Sequence, residues 1–320
     1  MKKLLIIDGL NMFLRSWIVV PHMNKSGIPN GGTIGFIKSL QKLCRKFSPD
    51  EIAIIWDGEG GSQKKKTIDK NYKEGRAPIR FNRRYLDLTE EQQEMNKIIQ
   101  QLRLYEYLNE MPVIQIAIDF VEADDVIAHV ATSDKYSGWS KIVVSSDKDF
   151  YQLCDKETTV YRPVQDKMIT EESLIEEFGI HPKNFALARS IVGDKSDNLP
   201  GVGRVGLKTI RSRFGFLSES KTYEIEDILE ACESTEKKLT CHKNILDGKS
   251  LIEKNYQLMQ LYDPNISLVN KEIIDYNINN FEPFFNKMNI QKMLFQDGQG
   301  SLNLDYLWLT LKKVKREQAV

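Results

Sequence analysis

KLLIIDG, residues 3–9, is an apolar run of strand length that ends at an aspartate and a glycine. Two further runs have the same design, EIAIIWDG at residues 51–58 and KIVVSSDKD at residues 141–149. Their hydrophobicity is continuous rather than alternating, which is typical of strands buried on both faces of a parallel sheet. The three runs therefore predict the centre of an α/β fold.

Helix-like segments lie between these runs. Residues 33–47 read as one helix, and a second begins at Thr89 with a T-x-x-Q capping box. The apolar positions of the second helix are Met95, Ile98, Ile99, Leu102, Tyr105 and Leu108. We predict an α/β catalytic core over residues 1–181, with a central, mostly parallel sheet flanked by helices. Residues 182–320 are predicted to be a mainly helical region.

Composition limits the class of protein without choosing a function. The chain has 320 residues, and its 45 basic and 45 acidic residues cancel, so total charge gives no support for nucleic-acid binding. The four cysteines lack the paired spacing of zinc sites, which predicts reduced thiols. No segment approaches the roughly 20 apolar residues that span a membrane. We expect a soluble, cytoplasmic protein, in the host cytoplasm if a phage encodes it.

Carboxylates collect where the predicted strands end. Ligands of parallel α/β sheets bind beyond the carboxyl ends of the strands, and acids of the segment VEADD precede a predicted buried helix. If the strands are neighbours, seven carboxylates converge there: Asp8, Asp57, Glu122, Asp124, Asp125, Asp147 and Asp149. Single acids of this kind are commonly helix caps or turn residues, but capping does not offset seven clustered anions. Oxygen ligands favour Mg²⁺ or Mn²⁺ over zinc.

A glycine-rich turn follows two more acids. VGDKSDNLPGVGRVGLKTI contains Asp194 and Asp197, and the glycines allow a phosphate backbone to approach a helix N-terminus. The candidate contacts are Gly201, Gly203, Arg204, Gly206 and Lys208. Gly-rich turns also simply join helices, so the acids and basic residues nearby strengthen the interpretation.

Residues 63–84 form a basic segment. Nine basic residues against two acidic ones give a local charge of +7, and Tyr72, Phe81 and Tyr85 are interleaved. The pattern fits a solvated loop. It also fits a surface that binds a single strand of nucleic acid, with cations pairing with the phosphates and aromatic rings stacking on the bases.

Taken in order, these motifs resemble the 5′-nucleases, the family of flap endonucleases and 5′–3′ exonucleases. IIDGLN, GIPNGGTIGF, WDG, NYKEGRAP, VEADD, SSDKDF and the glycine-rich motif match over about residues 1–215. The resemblance implies a PIN-like/5′-nuclease core, a basic arch at about 63–86 and a helix–three-turn–helix at about 184–215. It also implies that residues 182–320 form a DNA-binding region, and the chain is similar to stand-alone phage enzymes such as the ribonuclease H of T-even phages.

The resemblance also implies site roles. Two Mg²⁺ positions are expected, for which Mn²⁺ can substitute. The first would be surrounded by Asp8, Asp57, Glu122, Asp124 and Asp147, with Asp125 close by; the second by Asp149, Asp194 and Asp197, with Asp147 as a candidate shared ligand. Lys73 and Arg76 would clamp the scissile phosphate, and Tyr72 would stack on a terminal base. A K⁺ ion is a candidate ligand of the turn between Gly201 and Gly206.

The implied activity is two-metal hydrolysis of DNA and RNA/DNA duplexes at 5′ ends or flaps, removing primers during replication or repair. A monomer is expected, with a single-strand binding protein or a polymerase component as candidate partners. One alternative is a PIN-type endoribonuclease for single-stranded RNA, although such domains usually lack the arch and hairpin. The other is a non-catalytic DNA-binding protein, which the nine intact acids disfavour.

Overall fold

The three apolar runs are strands of a single six-stranded sheet. The computed structural model describes residues 1–75, 81–82, 85, 87–236 and 239–318. The sheet order is β3-β2-β1-β4-β5-β6, parallel from β3 to β5 and antiparallel at β6. The strands are β1 (Lys3–Asp8), β2 (Glu51–Asp57), β3 (Ile114–Ile118), β4 (Ser140–Val144), β5 (Thr158–Arg162) and β6 (Lys167–Ile169). The predicted mostly parallel sheet flanked by helices is confirmed.

Fourteen α-helices lie in the described part of the chain. Those up to residue 178 are α1 (Gly9–Val19), α2 (Gly31–Phe47), α3 (Gln63–Ile68), α4 (Glu90–Asn109), α5 (Ala123–Thr132) and α6 (Glu171–Phe178). The rest are α7 (Phe185–Val192), α8 (Leu207–Arg213), α9 (Ile225–Ser234), α10 (Thr240–Asp247), α11 (Lys249–Met259), α12 (Leu268–Asn279), α13 (Lys287–Gln296) and α14 (Asp305–Gln318). Within the described residues, none of these helices combines the length and apolar character needed to cross a bilayer.

Both faces of the sheet are buried, as continuous hydrophobicity predicts. Along β1, Leu4 and Ile6 point to one apolar cluster, whereas Leu5 and Ile7 point to a second on the opposite face. All four side chains are completely buried. Each strand of this kind therefore joins two cores.

The second cluster is completed from the far end of the sequence. Leu304, Leu307 and Leu311 pack into it together with Leu5, and α14 lies against α2. Gln41 on α2 donates to the carbonyl of Asn303 at 3.0 Å. The boundary expected near residue 181 stays a prediction, but helices from beyond it close both faces of the sheet.

The helix predicted from the Thr89 capping box is α4, and the box is present with Gln92 at its third position. The structure does not bury all of the apolar positions that the sequence pattern assigned to one face of this helix. Four of the apolar side chains on this helix are exposed to solvent: Met95 (57%), Ile98 (49%), Ile99 (54%) and Leu102 (57%). Leu104, Tyr107 and Leu108, in the C-terminal half, are buried against the core instead.

We predict that Leu311→Ala lowers the free energy of unfolding by about 2–5 kcal/mol, because it leaves a cavity where α14 meets the sheet. Leu309→Ala is the matched control, since Leu309 is 66% exposed on the same helix; its effect should stay within about 0.5 kcal/mol. Urea denaturation followed by circular dichroism measures both. Equal effects would show that α14 does not pack as described.

Candidate metal and nucleic-acid site

The carboxyl ends of β2, β1 and β4 lie side by side, because β1 pairs with both of the others. Asp8 is the last residue of β1 and caps α1, where it accepts the N–H of Asn11 at 3.1 Å. The hydroxyl of Ser145, just after β4, donates to Asp8 at 2.9 Å. Asp57 ends β2 and accepts the N–H of Ala123, the first residue of α5, at 3.0 Å. The expected convergence of strand-end acids is therefore present.

The loop after β4 carries the next pair of acids. The N–H of Asp147 donates to the hydroxyl of Ser145 at 3.1 Å, and the N–H of Asp149 donates to the Asp147 carboxylate at 2.9 Å. Asp149 then opens a short 3₁₀ helix, Asp149–Leu153. These bonds hold two carboxylates beside the end of β1.

Four of the acids carry negative charge that the protein compensates poorly. Burial, with smaller contributions from repulsion by Asp57 and Asp147, raises the pKa of Asp8 to about 7, although hydrogen bonds from Asn11 and Ser145 act to lower it. Burial and the Asp147 charge likewise raise the pKa of Asp149 to about 7, despite Arg189.

The negative charges of Asp124 and Asp147 are also poorly compensated. Burial and repulsion from Asp147 raise the pKa of Asp124 well above its usual value. Burial also raises the pKa of Asp147, with repulsion from Asp197 and Asp194 adding to it. The site is therefore short of positive charge at its centre.

Glu122, at the start of α5, is compensated by two lysines. Lys65 lies 2.8 Å from one carboxylate oxygen, and Lys73 forms an ion pair with the other. The Tyr72 hydroxyl donates to Glu122 at 3.1 Å. Burial alone would raise the pKa of Glu122, but Lys65 and Lys73 outweigh it and lower the pKa to about 2. Both oxygens of Glu122 are thus already engaged.

Asp125 is also held by the protein. One oxygen lies 3.3 Å from Lys65, and the other accepts the N–H of Asn265 at 3.0 Å. The structure brings it close to Glu122 through their shared lysine.

The second group of acids meets at Arg189 on α7. This arginine lies 3.2 Å from Asp149 and forms an ion pair with Asp194. It also donates to the carbonyl of Gly193 at 3.2 Å. The structure therefore brings Asp149 and Asp194 together. Asp197 is connected instead to Glu122, because the Tyr72 hydroxyl lies 3.2 Å from Asp197 and 3.1 Å from Glu122.

Residues 71–73, here called the arch base, connect the described part of the basic arch to the rest of the protein. Tyr72 is only 2% exposed and lies in an apolar cluster with Leu199, Leu258 and Met259. The base-stacking role expected for Tyr72 is corrected accordingly, because its ring packs in this cluster and its hydroxyl bonds to Glu122 and Asp197. Arg76, the other predicted phosphate clamp, lies outside the described residues.

Tyr85 and Phe81 also pack against the protein. Tyr85 is 5% exposed and donates to the carbonyl of His22 at 2.8 Å. Phe81 makes an edge contact with Trp17. Two of the three aromatic residues of the basic segment are thus buried, and the third contacts a core tryptophan.

The predicted helical hairpin consists of α7, the glycine-rich turn and α8. A Cβ at Gly201 would come within 1.8 Å of the Val192 carbonyl oxygen, so this glycine is required by close backbone packing. Gly203 and Gly206 are open, with nothing nearer than 3.8 Å to such an atom. Arg204 and Lys208 are exposed beside them. The accessible face of the turn therefore combines open backbone with two cations.

The arch base is joined to this hairpin. The N–H of Lys73 donates to the carbonyl of Asp197 at 2.8 Å, and Asn198 donates to the carbonyl of Asn71 at 2.9 Å. Lys73 and Asn198 have positive φ angles of 58° and 57°, and so does Arg204, at 63°. Such strained residues are held only where surrounding contacts fix them.

The donor chemistry fits hard divalent cations, because every candidate ligand is a carboxylate and the central ones lack a counter-charge. Within the described residues, no three His, Cys, Asp or Glu side chains are grouped tightly enough to hold one ion directly. Mg²⁺ commonly keeps several waters and takes only one or two carboxylates from a protein. The residues present fit binding of that kind.

Sequence reasoning missed Lys65 and Arg189. Lys65 stands in a run of three lysines, and nothing in the run distinguishes the buried one. Arg189 carried a usable signal, since it is the only charged residue in the apolar helix FALARSIV. A cation in such a helix needs a buried partner.

Similarity to known proteins agrees with this geometry. A family model described as "5'-3' exonuclease, N-terminal resolvase-like domain" matches residues 3–179. A 5'-3' exonuclease of Aquifex aeolicus is 30% identical over 280 residues, which cover 85% of this chain and 86% of the relative. The flap endonuclease Xni of Shewanella woodyi is 29% identical, covering 82% of this chain and 93% of the relative.

The fold is shared with a solved structure of a bacteriophage T5 flap endonuclease complexed with DNA and metal ions. The TM-score is 0.64 at 18% identity, and the match covers 98% of this chain and all of the other. This chain belongs to the 5′–3′ exonuclease family. Its resemblance to 5′-nucleases is therefore confirmed, and it is a nuclease of the exonuclease and flap-endonuclease type.

We predict that Gly201→Ala destabilises the protein by about 1–3 kcal/mol, since the added methyl group collides with the Val192 carbonyl. Gly206→Ala is the control, because nothing lies near its added Cβ, and it should leave the melting temperature nearly unchanged. Differential scanning calorimetry compares the two variants. If Gly206→Ala were the more destabilising, the described hairpin packing would be refuted.

Proposed function

We propose that this chain is a divalent-metal-dependent 5′-nuclease that cuts DNA and RNA/DNA duplexes at 5′ ends or flaps, including RNA primers. The observation that carries the proposal is the set of buried, poorly compensated carboxylates beside Lys73 and the helical hairpin. A centre short of positive charge suits divalent cations, and cations next to it suit phosphate. The DNA and metal ions bound by the T5 flap endonuclease support the same reaction class.

Mg²⁺ is the proposed cofactor, bound at two positions. Asp8, Asp57, Asp124 and Asp147 are proposed to hold the first, and Asp149, Asp194 and Asp197 the second. When bound, such ions activate the attacking water and stabilise charge on the transferring phosphate and the leaving oxygen. Asp8 is buried and Asp124, Asp147 and Asp149 are half-buried, which limits the screening of their charge by bulk water, whereas Asp57 is exposed.

The remaining roles belong to cations and backbone of the chain. Lys73 is proposed to leave Glu122 and contact the scissile phosphate, where its charge stabilises the transition state. Gly203, Arg204, Gly206 and Lys208 are proposed to hold the phosphate backbone of the downstream duplex. Because the arch base is hydrogen-bonded to the hairpin, the duplex and Lys73 are set at a fixed separation.

The test is cleavage of a labelled duplex with a 5′ single-stranded flap, in Mg²⁺ and in EDTA. An RNA-primed duplex and a plain single-stranded RNA run alongside it. Metal-dependent products released from the 5′ side of the duplex substrates are expected. Cutting of single-stranded RNA alone would favour the PIN-type endoribonuclease, and metal-independent binding without cutting would favour a non-catalytic protein.

We predict that Asp147→Asn lowers the cleavage rate by about 100-fold or more, because it removes a central charge of the site. Duplex affinity should survive, since an asparagine oxygen can still accept the Asp149 N–H. Asp263→Asn is the control, because that carboxylate is 91% exposed on the surface. Single-turnover kinetics and fluorescence anisotropy separate the two effects; joint loss of binding and cleavage would make Asp147 structural.

We predict that Lys73→Ala slows single-turnover cleavage by about 100-fold while changing duplex affinity less than tenfold. The reason is that one charge matters most where the transition state gains negative charge. Lys70→Ala, at an exposed lysine of the same segment, should have little effect on the rate. Parallel losses of rate and affinity in Lys73→Ala would reduce Lys73 to a phosphate anchor.

A further inference from the structure

Lys65 is a buried cation whose neighbours on the same helix are not. It is 6% exposed, whereas Lys66, the next residue on α3, is exposed. Its amino group lies 2.8 Å from Glu122 and 3.3 Å from Asp125. One lysine thus joins two of the acids, and it comes from α3, the helix at the start of the arch.

Arg189 makes the equivalent arrangement on the other side of the site. It is 9% exposed, and its guanidinium joins Asp149, at 3.2 Å, to Asp194. Each buried cation therefore bridges one pair of acids, and the two cations lie on different elements, α3 and α7.

The pairing divides the acids of the site into two sets. Glu122, Asp125, Asp149 and Asp194 each contact a buried cation. Asp8 and Asp124 have no such ion pair among the described residues, and Asp8 is held by Asn11 and Ser145 instead. Fixed positive charge therefore already occupies part of the space around the proposed metal positions.

We infer that Lys65 and Arg189 are internal counter-cations that keep the acid cluster folded without metal and weaken its affinity for divalent ions. This rests on the proposed function, because it concerns the same metal positions. Removing Lys65 leaves the buried Asp125 without an ion pair and Glu122 with Lys73 alone, and removing Arg189 takes the ion pair from the half-buried Asp149 and Asp194. Either change destabilises the metal-free protein. A bound divalent ion then replaces the missing charge, so the metal-bound protein loses less stability. By linkage, the variant must bind the ion more tightly.

The test compares Lys65→Met with the wild type and with Lys66→Met, a matched change at the exposed neighbour. Melting temperature is measured in EDTA and in saturating Mg²⁺, and the Mg²⁺ dissociation constant by isothermal titration calorimetry. Lys65→Met should melt lower in EDTA, regain part of the loss in Mg²⁺, and bind Mg²⁺ about tenfold more tightly. Lys65→Arg should restore wild-type values, and Lys66→Met should match the wild type.

An equal drop in melting temperature in EDTA and in Mg²⁺, with an unchanged dissociation constant, overturns the inference and leaves Lys65 purely structural. A wild type that neither binds Mg²⁺ nor gains stability from it overturns the proposed function as well. These two failures are distinct, because the first appears only in the variant and the second already in the wild type.

Arg189→Met provides an independent arm, with Arg213→Met as its exposed control on α8. It should also bind Mg²⁺ more tightly than the wild type. If Lys65→Met and Arg189→Met fold only when Mg²⁺ is present during refolding, the inference is supported. If neither folds even with Mg²⁺, the role of both cations is structural and the inference is overturned.

Discussion

The parallel pairing of β1 between β2 and β4 is the constraint on which the site depends. It brings three strand ends together, and each of them ends at or leads into an aspartate. Carboxylates held this close repel one another strongly in a buried setting, so the protein must supply positive charge or leave a place for it. The structure does both. Lys65, Lys73 and Arg189 pair with some of the acids, whereas burial and neighbouring charges raise the pKa values of Asp8 and Asp124.

The arch base contacts both an acid of the site and the loop before the hairpin. Lys73 contacts Glu122 through its side chain and Asp197 through its backbone, so one residue joins an acid of α5 to the loop before the hairpin. Tyr72 makes the same connection with its hydroxyl. Glu122, the arch base and the loop before the hairpin are consequently connected through Tyr72 and Lys73.

Sequence reasoning reached the strands and the strand-end acids because both have local signals. Continuous apolar runs identify buried strands, and the aspartates follow them directly. The residues that it missed, Lys65 and Arg189, are buried by contacts with residues far away in the sequence. No local pattern separates buried Lys65 from exposed Lys66, because burial is decided by distant residues: α11 packs against α3, and Lys65 pairs with Glu122 and Asp125. The exposed stripe on α4 fails for the same reason: periodicity shows an apolar face, but not whether another element covers it.

The last helix of the described chain packs on α2 and belongs to the same hydrophobic cluster as the first strand. Leu304, Leu307 and Leu311 share a cluster with Leu5 and Ile7, nearly 300 residues away in sequence. A chain emerging from the ribosome cannot complete this cluster until α14 has been synthesised. Contacts of such large sequence separation carry a high loop-closure cost and slow folding. Until that moment the part of the cluster that α14 covers exposes its apolar side chains, although α1, α2 and α4 already contribute to the same cluster, and transiently exposed apolar surface of this kind favours aggregation.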